Sequence, residues 1–246
     1  MMQTCCELIS RLRAGESASF RVAARLMSLL ADDQAAAARV LDEFTVDAGR
    51  LWGVTGPPGS GKSTLVDALI AAIRARRAAQ RVGVIAVDPS SRQTGGALLG
   101  DRVRMMRHAD DAQVFIRSMA SRGHLGGLAR GARATAAVMQ MIGCDPVMLE
   151  TVGVGQNEIE IVDLAERVVL VLAPGAGDGV QLLKSGLMEI GDILVVNKAD
   201  QPGADVLEQE LTATLQMQHR DVPVASVCAL TGTGIDALLD RLETSP

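Results

Sequence analysis

Apolar residues in the first 48 positions recur at intervals of three and four, the spacing of an amphipathic helix. The positions that follow this rule are Leu8, Ile9, Leu12, Val22, Leu26, Leu29 and Leu30. An Ala-rich segment from Asp33 to Phe44 continues the helical pattern, and Asp32 before it is the predicted cap. We therefore expect residues 1–48 to form a short helical N-terminal extension that packs on the domain after it.

From Arg50 onward the pattern changes to short apolar runs that alternate with longer helical stretches. The predicted strands are Leu51–Thr55, Val82–Val87, Val114–Ile116, Val147–Glu150, Val168–Leu172, Ile193–Val196 and Val222–Val227. The predicted helices are Lys62–Ala79, Leu128–Ile142, Val180–Glu189, Ala204–His219 and Ile235–Leu242. Apolar strands separated by helices are typical of a mostly parallel sheet with helices on both faces. Residues 49–246 are thus predicted to form one α/β domain.

Composition narrows the class of protein. The 246 residues carry a net charge of −5 and only 2% are aromatic, which argues against a nucleic-acid-binding protein. No apolar run reaches the ~18 residues that span a bilayer, and residues 1–10 lack the pattern of a secretory leader, so we expect no membrane partner. The cysteines show no metal-binding spacing and are typical of buried thiols in a cytoplasmic protein. They are Cys5, Cys6, Cys144 and Cys228.

Lysine is rare in this chain. Of 24 basic side chains three are lysines, Lys62, Lys184 and Lys198, and the other 21 (24 minus 3) are arginines. A lysine is a compact point charge and an arginine is a planar fork, so the two are not interchangeable at a tight site. The lysines kept in such an arginine-rich chain are therefore candidates for functional positions.

A phosphate-binding loop follows the first predicted strand. The stretch Gly56-Pro57-Pro58-Gly59-Ser60-Gly61-Lys62-Ser63 matches GxxxxGK[ST] and precedes an amphipathic helix, the context that supports such a match. Glycines let successive N–H groups point at phosphates, Lys62 reaches them as a point charge, and the Ser63 hydroxyl is a ligand for Mg²⁺. The predicted nucleotide-binding residues are Gly56, Gly59, Ser60, Gly61, Lys62, Ser63 and Thr64.

A guanine-binding motif follows the sixth predicted strand. Asn197-Lys198-Ala199-Asp200 has the NKxD pattern, in which the Asp200 carboxylate accepts from guanine N1–H and the 2-amino group. Adenine offers neither donor in that position, so ATP should be rejected. The Lys198 stem is expected along the base, and Asn197 is expected to tie this loop to the phosphate loop. After the last strand, residues 226–230 resemble the further base loop of such proteins, with Ser226, Ala229 and Leu230 as candidates.

At this point the sequence resembles a known family, the MeaB/ArgK-type G proteins, which are GTPase chaperones of adenosylcobalamin-dependent acyl-CoA mutases. The resemblance covers roughly residues 50 to 240. It is carried by Gly53–Leu65, "DPSSRQTGGALLGDRVRM", Phe115–Gly127, "ETVGVGQNE", "APGAGDGVQLLKSGLMEIGD" and "VNKAD". Several of these stretches are longer than generic GTPase motifs. The resemblance implies a P-loop NTPase G domain that binds GTP, GDP and Mg²⁺.

The resemblance also implies roles for particular residues. Asp88, Asp101 and Glu150 match the acidic positions that surround Mg²⁺ together with Ser63, and Asp178 and Lys184 match a partner-sensing segment called switch III. Gly153 can offer its N–H to the γ-phosphate. In Ras-like proteins the water-orienting glutamine directly follows that glycine, whereas here Val154 takes the place and Gln156 lies two residues on. Because valine cannot orient water, we expect slow hydrolysis that a partner accelerates. The predicted catalytic set is Lys62, Asp88, Glu150, Gly153 and Gln156.

The function implied is that of a GTP-hydrolysing metallochaperone that gates cofactor loading or reactivation of an adenosylcobalamin-dependent acyl-CoA mutase. An adenosyltransferase is left open as a further partner. Members of the family usually continue into a helical dimerisation arm, whereas the last predicted helix here ends shortly before Pro246, so we expect the usual arm to be absent and leave a homodimer open. The alternatives are a nickel-type metal-insertion GTPase, a kinase, and a nucleotide-dependent interaction module without turnover. NKxD disfavours the kinase, and the missing CxxC and His-rich tracts disfavour the nickel protein.

Overall fold

Helices and strands alternate along the chain from residue 51 onward. The computed structural model describes residues 2–14, 19–30, 33–44, 50–88, 106–108, 110–120, 127–151, 164–175 and 187–244. The strands are β1 Leu51–Thr55, β2 Arg81–Asp88, β3 Val114–Ala120, β4 Cys144–Glu150, β5 Arg167–Leu172, β6 Ile193–Asn197 and β7 Val224–Val227. The helices are α1 Met2–Arg13, α2 Ser19–Leu30, α3 Gln34–Glu43, α4 Lys62–Arg76, α5 Gly127–Met141, α6 Leu187–Ile190, α7 Ala204–Met217 and α8 Ile235–Glu243.

The strands form one sheet in the order β3-β2-β4-β1-β5-β6-β7. Every neighbouring pair is parallel, which confirms the predicted α/β class. Strands β1 and β6 are buried along their whole length and β5 from Val168 onward, as expected for a sheet covered on both faces. Parallel strands present their carboxyl ends at the same edge, so the loops after β1, β4, β6 and β7 meet there.

Helices cover both faces of the sheet, and alternate strand residues point to different cores. Trp52 and Val54 of β1 pack with α4 and α8, whereas Leu51 packs with α5 and the N-terminal helices. A third core joins β5 and β6 to α7. Within the described ranges, no helix is long and apolar enough to cross a membrane.

The N-terminal helices share a core with the sheet. Leu8 of α1, Leu26 of α2 and Val40 of α3 are buried in the same cluster as Leu149 of β4. The prediction of Asp32 as the cap of α3 is wrong, because the Asp33 carboxylate accepts hydrogen bonds from the first amides of the helix. The division of the chain at residue 48 stays a prediction.

Two predicted boundaries are wrong for identifiable reasons. Helix α4 ends at Arg76 and not at Ala79, because the Arg74 guanidinium binds the carbonyls of residues 77, 78 and 80 and closes a turn there. Strand β7 begins at Val224 and not at Val222, since Pro223 has no N–H to donate to a neighbouring strand. The predicted helix Val180–Glu189 is described only from residue 187.

Arg74 also forms an ion pair that joins α4 to the loop before β3. Its guanidinium holds Asp111 through two nitrogens, at 2.7 and 3.2 Å, and the Gln113 amide donates to the same carboxylate at 2.9 Å. The Arg74 hydrogen bond, followed by the Gln113 amide, lowers the pKa of Asp111 below the ordinary 3.8. Because the folded-state pKa is lowered, this carboxylate stabilises the fold above its ordinary pKa and loses that effect as the pH falls through the folded-state pKa.

We expect Asp111→Asn to lower the free energy of unfolding at pH 7 by about 1–2 kcal/mol, because Arg74 loses its charged partner. The difference from wild type should shrink as the pH falls below the ordinary carboxyl pKa. Urea denaturation at a series of pH values measures both effects. Asp110→Asn, at the exposed neighbouring position, is the control. A difference between Asp111→Asn and wild type that does not change with pH would contradict this account.

Candidate nucleotide-binding site

The phosphate loop leaves the centre of the sheet through strained backbone that only glycine tolerates. Gly56 has φ 141°, and a Cβ there would lie 2.1 Å from the Val171 carbonyl oxygen of β5. Gly61 has φ 90°, and a Cβ there would lie 2.4 Å from the Asn197 side-chain nitrogen. The loop therefore sits directly against β5 and β6, and α4 begins immediately after it. Its N–H groups and the helix N-terminus form a site for anions.

Lys62 lies inside this loop. Its side chain is buried, and Nζ donates to the Gly56 carbonyl at 2.8 Å and to the Pro57 carbonyl at 3.1 Å. Both acceptors belong to the loop itself, so the ammonium is held beside the amides that would surround a phosphate. A point charge in this position neutralises phosphate charge in P-loop proteins.

Ser63 and Glu150 come together from α4 and β4. The Ser63 hydroxyl donates to Glu150 Oε1 at 2.5 Å, and both side chains are buried. A hydroxyl and a carboxylate next to a phosphate loop are hard oxygen ligands of the kind Mg²⁺ prefers, so the pair fits that ion. Glu150 ends its strand one position beyond the apolar run, which places its carboxylate at the same edge as the loop.

Asn197 connects the predicted phosphate and base loops. Its side-chain nitrogen donates to the Ser60 carbonyl at 2.9 Å, and its oxygen accepts from the Ala229 amide at 3.1 Å. The side chain is 2% exposed, so the two bonds lie away from water. One residue at the end of β6 thus fixes the loop after β1 relative to the loop after β7.

Lys198 adds a second link. It adopts φ 59°, an unusual value for a residue other than glycine, and its Nζ donates to the Gly59 carbonyl at 2.8 Å. Asp200, two residues on, is exposed at the same end of β6. The side chain of Lys198 therefore spans the gap between this loop and the phosphate loop, with Asp200 beside it.

The residues of the predicted third loop have different orientations. The Ala229 amide faces Asn197, and Leu230 is 84% exposed at the tip of the loop. Ser226 faces away from this loop, because its hydroxyl donates to the Glu208 carboxylate of α7 at 2.6 Å. The structure thus brings Ala229 and Leu230 to the site edge and directs the Ser226 side chain toward α7.

Several predicted residues cannot be placed. Asp88 is the last residue of β2, but its side chain is outside the described part of the chain. The residues that lie wholly outside the described ranges are Asp101, Gly153, Gln156, Asp178 and Lys184. Their roles remain predictions.

Two groups of residues around the site were not predicted from the motifs. The Thr151 hydroxyl donates to the Thr55 hydroxyl at 2.9 Å, between the ends of β4 and β1. The Asp67 carboxylate of α4 forms an ion pair with Arg107 at 2.5 Å and lies 2.9 Å from His108 Nε2. Polar residues at the last positions of apolar strands are the signal that could have pointed to Thr55 and Thr151. Their pairing depends on strand order, which the sequence pattern does not give.

These features define the P-loop G-domain class. The sheet is parallel, a phosphate loop follows its first strand, an NKxD loop follows its sixth, and one asparagine joins the loops. Comparison with known families agrees with this class and identifies the family within it. The family model for the methylmalonyl-CoA mutase-associated GTPase MeaB matches residues 23–245, and the chain belongs to that family.

Individual relatives carry compatible names. A protein of Pyrococcus horikoshii named as a GTPase is 47% identical over 98% of this chain and 78% of its own length. GTPase ArgK of Escherichia coli is 42% identical over 80% of this chain and 60% of its own length. A solved structure of an LAO/AO transport system kinase superposes with a TM-score of 0.70 at 27% identity, covering 98% of this chain and 80% of that one.

Proposed function

We propose that this chain binds GTP with Mg²⁺, hydrolyses it slowly, and uses the nucleotide state to control an adenosylcobalamin-dependent acyl-CoA mutase. The observation that carries the nucleotide part is the Asn197 side chain, which holds the Ser60 carbonyl and the Ala229 amide at once. That contact fixes the phosphate loop relative to the predicted base loop. The mutase part rests on membership of the MeaB family.

Guanine recognition is assigned to the loop after β6. Asp200 accepts two hydrogen bonds from the guanine edge, and the Lys198 stem packs along the base. A carboxylate facing adenine would lose both donors and keep its desolvation cost, so GTP is strongly preferred over ATP. Measured affinities for GTP, GDP, ATP and xanthosine triphosphate test this assignment. If ATP binds more tightly than GTP, the kinase alternative becomes the better description.

The residues around the phosphates act by position and charge. Lys62 binds the phosphate oxygens and stabilises the charge that develops as the bond to the γ-phosphate breaks. Ser63 and Glu150 would hold Mg²⁺ together with Asp88, and the ion supplies further charge stabilisation when bound. The water-orienting role is assigned to Gln156, because Val154 occupies the place that the glutamine takes in Ras-like proteins.

We expect slow intrinsic turnover that rises when the partner mutase binds. Because valine at position 154 cannot orient water, the bound partner is expected to supply this alignment, and the gain in single-turnover rate should be about tenfold or more. The measurement is GTP hydrolysis with and without each candidate acyl-CoA mutase. Bovine serum albumin at the same concentration serves as the protein control. A mutase that binds in a nucleotide-dependent way without changing the rate would leave an interaction module as the better description.

The nickel-insertion alternative has a separate test. Among the described residues, no group of three or more His, Cys, Asp or Glu side chains is arranged to hold a metal ion. Titration with Ni²⁺ or Zn²⁺ in the absence of nucleotide addresses the whole chain. Tight stoichiometric binding would favour metal delivery over control of a cobalamin enzyme.

A further inference from the structure

Three side-chain hydrogen bonds close a ring beside the candidate phosphate loop. Lys62 Nζ donates to the Gly56 carbonyl, Ser63 donates to Glu150, and Thr151 donates to Thr55. Three peptide links complete the ring, because these residues are consecutive in pairs. The pairs are Thr55-Gly56, Lys62-Ser63 and Glu150-Thr151. The ring therefore joins the end of β1, the start of α4 and the end of β4.

The ring is buried throughout. Thr55 is 1% exposed and Thr151 is 3% exposed, and the Thr–Thr bond between them is 2.9 Å long. The Thr151 amide also donates to the Val54 carbonyl at 3.0 Å, which extends the β1–β4 pairing one residue past the Val54–Glu150 position. Two bonds thus fix Thr151, and through it the backbone that carries the Glu150 carboxylate.

Nucleotide and metal would change two of the three side-chain bonds. Under the proposed function Lys62 turns to phosphate oxygens and Ser63 to Mg²⁺, so the first two bonds weaken or are shared. The Thr55–Thr151 bond touches neither ligand and keeps its partners. It is then the remaining side-chain bond that holds the end of β4 against the start of the phosphate loop.

We propose that Thr55 and Thr151 are positioning residues, whose hydrogen bond holds the Glu150 carboxylate at the right distance from Ser63 for Mg²⁺ binding. This inference rests on the proposed function. Groups that orient metal ligands typically affect metal affinity about 10- to 100-fold when they are removed. The pair is expected to act on Mg²⁺ affinity and on the rate of hydrolysis more than on GTP affinity measured without metal.

The test uses variants that separate positioning from simple packing. Thr151→Val keeps the shape and removes the donor, Thr151→Ser keeps the donor, and Thr55→Val/Thr151→Val removes both hydroxyls. Replacing both partners of a buried hydrogen bond by apolar groups of equal shape is nearly neutral for stability, whereas removing one leaves the other unsatisfied. The double variant should therefore recover the melting temperature without recovering Mg²⁺ affinity. Thr135→Val on α5, also buried, is the control.

Three readouts decide the outcome. We expect the Mg²⁺ concentration for half-maximal binding to the GDP-loaded protein to rise about tenfold in Thr151→Val and in the double variant, and to return toward wild type in Thr151→Ser. Hydrogen exchange of the Thr151 amide in the metal-free protein should speed up in the same two variants. Hydrolysis should fall in parallel, while GTP affinity in EDTA stays unchanged.

Two results would overturn the inference. One is a double variant with wild-type Mg²⁺ affinity, which would make the pair a packing feature. The other is equal loss of GTP affinity with and without metal, which would place its effect on the loop as a whole. If Thr151→Val fails to fold, the double and serine variants still decide. Wild-type protein that binds no GTP would instead refute the proposed function, independently of these comparisons.

Discussion

Asp200→Asn is expected to change the base that this protein binds. Under the proposed function the carboxylate accepts hydrogen bonds from guanine N1–H and the 2-amino group, whereas an asparagine amide has one acceptor and one donor. Its donor would face the 2-amino group, so two favourable contacts become one contact and one repulsion. We expect GTP affinity to fall about a thousandfold, because one hydrogen bond to a charged group is lost and a donor–donor repulsion takes its place.

Xanthine should reverse the loss. This base carries an oxygen in place of the 2-amino group, so the asparagine NH₂ can donate to it while the amide oxygen accepts from N1–H. Asp200→Asn should therefore bind xanthosine triphosphate more tightly than GTP, and wild type should do the opposite. Equilibrium binding of both nucleotides measures the exchange.

The control for Asp200→Asn is Asp205→Asn, which changes another exposed aspartate, in the first turn of α7. It should leave both affinities unchanged. An Asp200→Asn protein that still prefers GTP would mean that Asp200 does not face the base. A protein that loses both nucleotides would point to collapse of the loop and not to altered recognition.

Strand positions follow from the sequence more closely than helix ends do. Buried parallel strands are continuous apolar runs, so the predicted Leu51–Thr55 is β1 residue for residue. The edge strand β3 was predicted only to Ile116, because Arg117 and Ser118 interrupt the apolar run. Its backbone nevertheless pairs with β2 as far as Ala120, since an edge strand needs one apolar face at most.

Helix ends depend on contacts that come from elsewhere in the chain. Ala78 and Ala79 favour helix by themselves, yet the Arg74 guanidinium stops α4 at Arg76 by binding carbonyls of the next turn. Asp32 and Asp33 are equally good caps by residue type. The carboxylate of Asp33 is the one that reaches the first amides of α3, and only the backbone path decides that.

The motifs predicted which loops meet, and the structure adds how they are joined. The expected link between Asn197 and the phosphate loop is present as a hydrogen bond to Ser60. The direction of the Ser226 hydroxyl depends on which face of β7 it occupies, and it points to Glu208. Thr55 and Thr151 look like ordinary strand residues in the sequence. They meet because β4 inserts beside β1, an order that no local pattern encodes.

The structure gives a physical reason for lysine at two of its three positions. In a chain with 21 arginines, Lys62 and Lys198 each donate to carbonyls of the phosphate loop, at distances of 2.8 to 3.1 Å. An ammonium can point three donors at a narrow curl of backbone, whereas a guanidinium is a planar fork that needs a wider space. The third lysine, Lys184, lies outside the described residues.

Lys62→Arg is therefore expected to inactivate the site although it conserves the charge. Lys62 is 7% exposed, and its Nζ already lies within hydrogen-bond distance of two loop carbonyls, so the longer guanidinium cannot fit without moving the loop. We expect single-turnover hydrolysis to fall about 10²- to 10³-fold, comparable to losing a preorganised charge-stabilising donor.

The matched comparison is Lys198→Arg. Lys198 is only half-buried and donates to one loop carbonyl, so an arginine there has room to reach the Gly59 carbonyl by one of its nitrogens. We expect its hydrolysis to stay within about tenfold of wild type, while both variants keep the wild-type melting temperature within a few degrees. Equal loss in both variants would mean that any change in the loop is harmful. Normal hydrolysis by Lys62→Arg would mean that a positive charge of either shape is enough at this position. The rarity of lysine in the chain would then say nothing about the function of the lysines that remain.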